Sequence, residues 1–127
     1  MKIKLDKLIS SVGALRLLSQ NKLPAALAVK IARLLREVSE EVENYQQLAN
    51  QQVEKLGGKL QPDGTIKFDA DEAKKYMELN NYLKEIRDQG IELSRADFKI
   101  TIDDIAKNID QIEPSVLADL DWLIEDK

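Results

Sequence analysis

Residues 22–56 read KLPAALAVKIARLLREVSEEVENYQQLANQQVEKL, and the spacing of their apolar side chains decides the fold. From Ile31 the repeat runs through Leu35, Val38, Val42, Tyr45, Ala49, Gln52 and Leu56, in alternating steps of four and three. That is the a/d seam of a coiled coil over about three and a half heptads, with Gln52 its only polar member. Between these positions lie Arg36, Glu37, Glu40, Glu41, Glu43, Asn44, Gln46, Gln47, Asn50, Gln51 and Glu54, the residues of a solvated surface. A helix with one apolar seam needs a second helix to cover it. Pro24 suits the first turn, where its missing N–H has no partner to lose, and Gly57-Gly58 supplies the stop.

The covering helix is expected from about Ala70 to Gln89, capped by Asp69 or Asp71 and closed by Gly90. Its apolar side holds Ala73, Tyr76, Met77, Leu79, Leu83 and Ile86. Between the two helices, Gln61-Pro62-Asp63-Gly64 is turn chemistry and Thr65–Phe68 a strand candidate. A folded connection of this size predicts an antiparallel hairpin. Residues 91–102 contain two alternating stretches, Ile91-Glu92-Leu93 and Phe98–Ile102, either of which would pair with Thr65–Phe68. Upstream, residues 1–20 predict an edge strand at Lys2–Leu5 and a helix from Asp6 to Gln20. Leu5, Leu8, Ile9, Val12, Leu15 and Leu18 line one side of it, and Gly13 weakens it. Downstream, Asp103–Asn108 predicts a short helix, and Pro114 opens a C-terminal helix over residues 114–125. In that helix Val116, Leu117, Leu120, Leu123 and Ile124 share an arc, with Trp122 roughly 150° from its middle. The expected fold is mostly α: one domain over 1–127, an antiparallel long-helix hairpin of coiled-coil type with a small β element and a C-terminal helix.

Composition narrows the chemistry. Cysteine and histidine are absent, which removes disulfides, thiol nucleophiles, the usual zinc sites and imidazole acid–base catalysis. No apolar run is long enough to span a bilayer and no signal-peptide core interrupts the N-terminal charges, so a cytoplasmic protein with no membrane partner is expected. The formal net charge of −4 is unevenly spread. Residues 1–36 carry eight Lys/Arg against one Asp, leaving eleven basic and twenty-two acidic residues for 37–127, or +7 and −11. This asymmetry predicts either internal complementarity or two different outer faces.

Three candidate chemistries compete. Glu37-x-x-Glu40, Glu40-x-x-Glu43 and Glu85-x-x-Asp88 echo the paired acids of all-α nucleoside-triphosphate pyrophosphohydrolases, in which several carboxylates hold magnesium. With Val38 and Val42 in the seam, however, these acids point away from it, toward opposite outer faces of the hairpin; the acidic cluster Asp103-Asp104 with Asp110, alternating with Ile100, Ile102, Ile105 and Ile109, is what an edge strand running into a capped helix shows. A solvated face is therefore the expectation, with no metal, no cofactor and no catalytic residue. Nucleic-acid binding would rest on Lys2, Lys4, Lys7, Arg16, Lys22, Lys30, Arg33 and Arg36, with a helix-turn-helix around Val12-Gly13-Ala14. The stretch lacks an aromatic residue for stacking and the rest of the surface is acidic, so this partner is not expected. A small-ligand binder that sequesters a nucleotide signal would use the same basic face with Tyr45, Tyr76 or Tyr82.

In the order of its pieces the chain resembles short uncharacterised proteins of tailed phages and prophages of Gram-positive bacteria. The resemblance lies in the basic start of the long helix (residues 22–35), the Glu/Gln-rich helix after it, Asp63–Phe68, and the closing stretch Ile112–Ile124. It implies a viral origin and a helical fold, and it carries over no functional residue. The resulting expectation is a non-enzymatic protein-binding module, either a virion or assembly component or an inhibitor of a host factor. It would work in the host cytoplasm or the virion, and the seam offers a surface for self-association. The partner-binding residues expected are Trp122 and Glu125 at one end of the chain and Lys30, Arg33 and Arg36 on the long helix.

Overall fold

A computed structural model describes residues 2–68, 71–109 and 111–125. The chain is mostly helical, as the periodicity predicts, and the described residues form three small two-stranded sheets where one small β element was expected. Strand β1 (Lys2–Lys4) leads into helix α1 (Leu5–Ser19), and the long helix α2 spans Ala25–Lys55. The latter is about 46 Å long at 1.5 Å per residue. It begins at Ala25, three residues after the expected start, because Pro24 is extended (φ −51°, ψ 140°) and serves as the cap residue, its carbonyl accepting from the Ala28 N–H at 2.9 Å. Gly57, at φ 77°, ends α2 as expected. Helix α1 runs without a break through Val12-Gly13-Ala14, which overturns a helix-turn-helix there.

Two apolar clusters organise the molecule. In the larger, Leu5, Leu8, Leu15 and Leu18 of α1 pack against Ile31, Leu34 and Val38 of α2, and the C-terminal third covers them. The smaller joins Val53 of α2 to Phe68 and Leu79, with Leu56, Ile66, Tyr76 and Leu83 around it. Between the two, the seam is thin. Val42, Tyr45, Ala49 and Gln52 are only half-buried, and no residue of α2 from 39 to 52 is fully buried. The hairpin partner that the seam predicts is α3 (Glu72–Arg87), which starts beside the distal cluster and returns to the larger one, antiparallel to α2. Asp71 precedes it in the left-handed region (φ 50°) and makes no side-chain cap, contrary to expectation. Asp69 as the alternative cap and the Ala70 start lie outside the described residues, as does Asp110.

The β pairing differs from the expected one. β3 (Ile66–Phe68) pairs with β2 (Gly58–Leu60) in a local hairpin and not with residues 91–102. Helix α3 separates the two ends by about 24 Å, so those partners are out of reach. The hairpin loop is held by Asp63, whose carboxylate accepts from the Thr65 N–H and hydroxyl, with Gly64 at φ 89°. At the other end, β4 (Gly90–Glu92) pairs antiparallel with β1, and β5 (Ile100–Thr101) leads into α4 (Ile102–Asn108) through a capping box between Thr101 and Asp104.

The C-terminal helix is the largest correction. Helix α5 covers only Pro114–Asp119; Leu120–Leu123 turn back, and β6 (Ile124–Glu125) pairs parallel with β5. To continue, the helix would need the Ala118 and Asp119 carbonyls as acceptors for residues 122 and 123. Lys7 Nζ takes the first at 3.1 Å and the Ser11 hydroxyl lies 2.8 Å from the second. The turn also buries Leu120 and Leu123 completely.

Candidate functional site

The residues singled out on two distant parts of the chain meet around one loop, 93–99, between β4 and β5. Leu93, Ala96 and Phe98 point into the larger cluster, leaving Ser94, Arg95, Asp97 and Lys99 outside. A loop of seven residues with this alternation is anchored from below. It is also clamped from the side. The Glu37 carboxylate accepts from the Ser94 hydroxyl at 2.5 Å, the Ser94 N–H at 3.2 Å and the Arg95 N–H at 3.0 Å. Partial burial raises the Glu37 pKa, but these hydrogen bonds and the nearby Arg95 charge outweigh it, and the net shift is downward. Glu37 is thus a charged loop anchor and not the solvated residue its spacing predicts.

Over this loop the N-terminal part of α2 lays its basic face. Lys30, Arg33, Arg95 and Asp97 line a small cleft of about 120 Å³. The Lys30 ammonium lies 5.7 Å from the centre of the Phe98 ring, a cation–π distance that fixes its direction. Among the described residues, none of Lys30, Arg33, Arg36 or Arg95 forms an ion pair with a carboxylate. Next to the basic cleft, sharing Asp97, a shallower cleft of about 390 Å³ is lined by Ala96, Phe98, Lys99 and Glu125.

Lys30 and Arg33 are thus brought together in one cleft and Glu125 lines the neighbouring one, while Arg36 stands exposed one turn further along α2. Trp122 is only half in this group. Its carbonyl accepts from Lys99 Nζ at 2.5 Å beside the loop, but its indole N–H turns inward and donates to the buried Ser11 hydroxyl at 2.9 Å. The side chain is half-buried against the larger cluster, not projecting from a helix. Arg95 and Asp97 are the residues that sequence reasoning missed. They carry no local pattern, and the Glu37 clamp from 57 residues away together with the buried Leu93, Ala96 and Phe98 places them.

The rival chemistries find less. Among the described residues no group of three or more acidic side chains is placed to hold a metal ion, and Glu37 is already committed to the loop. Tyr45 packs in the larger cluster and Tyr76 sits edge-on to Phe68 in the distal one, with ring centroids 4.9 Å apart, so neither lines the basic cleft. A third cleft, of about 630 Å³ near Val53, Gly58, Leu60 and Ile66, is far from the basic face. No helix among the described residues is long and apolar enough to cross a membrane. No protein-family model matches the chain, and neither a curated protein nor a solved structure is significantly similar to it.

Proposed function

We propose that this chain is a non-enzymatic protein-binding module whose recognition surface is the rim of loop 93–99 together with the basic face of α2. The observation that carries the reading is the set of cations at Lys30, Arg33 and Arg95, gathered around a cleft beside a clamped loop, none of them in a direct ion pair among the described residues. Such a surface suits an acidic segment of a partner, because unneutralised cations steer association and arginine forks select oxyanions. Size favours a macromolecule over an enclosed small ligand. Pockets for free ligands run from about 300 to 1,000 Å³, whereas the basic cleft holds about 120 Å³ and admits a single anionic group. The resemblance to helical proteins of tailed phages fits either a virion or assembly component or an inhibitor of a host factor, acting in the bacterial cytoplasm or within the virion.

The test is site-specific photo-crosslinking in the host. A benzophenone side chain at Ala32, exposed beside Arg33, should yield a discrete adduct larger than the chain, lost when Arg33→Glu is added. The same probe at Lys59, at the distal end, should not yield that adduct. An adduct at Lys59 alone, or one at Ala32 indifferent to Arg33→Glu, would place recognition elsewhere.

A further inference from the structure

We infer that the cleft formed by Lys30, Arg33, Arg95 and Asp97 seats a phosphate monoester, carried on a phosphorylated side chain of the partner. This rests on the protein-binding reading and names the chemistry of its central contact. Charge is the first argument. Three cations and one carboxylate line the cleft, a charge of +2 (3 − 1) for its wall, with the Glu37 carboxylate turned to the backbone of Ser94 and Arg95 beside it. A phosphate monoester carries about −1.5 to −2 at neutral pH and so neutralises the cleft, whereas a carboxylate leaves about one positive charge over. Donor geometry is the second. Two guanidinium groups offer bidentate forks and Lys30 a point charge, the donor set that suits three phosphoryl oxygens better than two carboxylate oxygens.

Preorganisation is the third argument. The Arg95 backbone is fixed by Glu37, which sets where its side chain starts, and Lys30 lies over Phe98, so the cleft is laid out before any ligand arrives. The neighbouring cleft lined by Phe98, Lys99 and Glu125 continues from the shared wall at Asp97. It gives room for the residues flanking a phosphorylated side chain, which a free phosphate ion would leave empty. Asp97 is the unusual member. It repels an anion, and it sets the net charge to two and not three, so its removal should strengthen binding at the expense of selectivity between mono- and dianions.

The experiment titrates three peptides into the isotope-labelled protein and follows backbone amide shifts. They are acetyl-Gly-Gly-phosphoSer-Gly-Gly-amide and the same sequence with Ser or Glu at the centre. The phosphopeptide should move the amides of Arg33, Arg95 and Lys99, bind at least about tenfold more tightly than the Glu peptide, and be displaced by inorganic phosphate. Arg33→Gln and Arg95→Gln should each weaken it about tenfold, as expected for losing one charge-assisted hydrogen bond, while Asp97→Asn should tighten it. Equal binding of the phosphoSer and Ser peptides, or shifts that neither arginine variant alters, would overturn the inference. So would preferential binding of the Glu peptide, which would leave the protein-binding reading standing. Conversely, phosphopeptide binding without a crosslinked partner at Ala32 would uphold the site chemistry and remove that reading.

Discussion

At the scale of single residues, Ser11 and Trp122 do more for this fold than their positions in the sequence announce. Ser11 is fully buried on α1, among leucines, where a hydroxyl without partners would be costly. It is fully used: its single hydrogen serves either the Lys7 carbonyl at 2.7 Å or the Asp119 carbonyl at 2.8 Å, and its oxygen accepts the Trp122 indole N–H. Ser11→Ala would strand that N–H and the Asp119 carbonyl in a half-buried place, so it should destabilise the protein by about 1–3 kcal/mol. The native tryptophan emission should be blue-shifted and resist acrylamide, and in Ser11→Ala it should move to the red and quench more readily. Water-like, readily quenched emission already in the native chain would contradict this placement. An aromatic off the apolar arc is either sandwiched by another part of the chain or left for a partner; α5 stops at Asp119, and the Trp122 indole is held against Ser11, the first of the two. Glu37 misleads. Its spacing marks it as solvated, and a loop 57 residues away makes it an anchor.

At the scale of elements, what was legible is what depends on near neighbours. The long helix, its Gly57 stop, the covering helix and the turn at residues 61–64 all follow from local spacing, glycine and proline chemistry, and all are present. What was not legible depends on distant ones. The early end of α5 goes with its last carbonyls facing Lys7 and Ser11 of α1, and β2 pairs with β3 in a tight return. Of the candidate site, Lys30, Arg33 and Glu125 could be nominated from sequence, but Arg95 and Asp97 could not, since nothing around them repeats. The distal hairpin also shows how close its packing is. A Cβ on Gly58 would lie 2.7 Å from Phe68 Cε1 and 2.9 Å from Val53 Cγ1. Gly58→Ala should therefore cost about 1–3 kcal/mol by overpacking, seen as a lower denaturation midpoint. An unchanged midpoint would mean that the hairpin shifts freely on α2.

At the scale of the whole molecule, the two clusters predict two stabilities. The larger buries seventeen residues around Leu8, Leu15 and Leu34, whereas the distal one rests on Val53, Phe68 and Leu79. With a thin seam between them, the distal end should open locally without unfolding the rest. Native-state hydrogen exchange should show lower protection at Val53, Phe68 and Leu79 than at Leu8, Leu15 and Leu34, and uniform protection at both ends would show a single cooperative unit. The contacts that tie α1 to the turn after α5 have a further consequence, for how the chain is made. The hydrogen bond from Trp122 to Ser11 spans 111 residues. On a ribosome adding 5–20 residues per second, the inner face of α1 waits roughly 6–20 s for that partner. During this interval α2 can dock on α1, but Ser11 and Leu8 have no lid. The last side of α1 is therefore closed long after the helix itself is made, and folding of this end is completed only once Trp122 has been added and has left the exit tunnel.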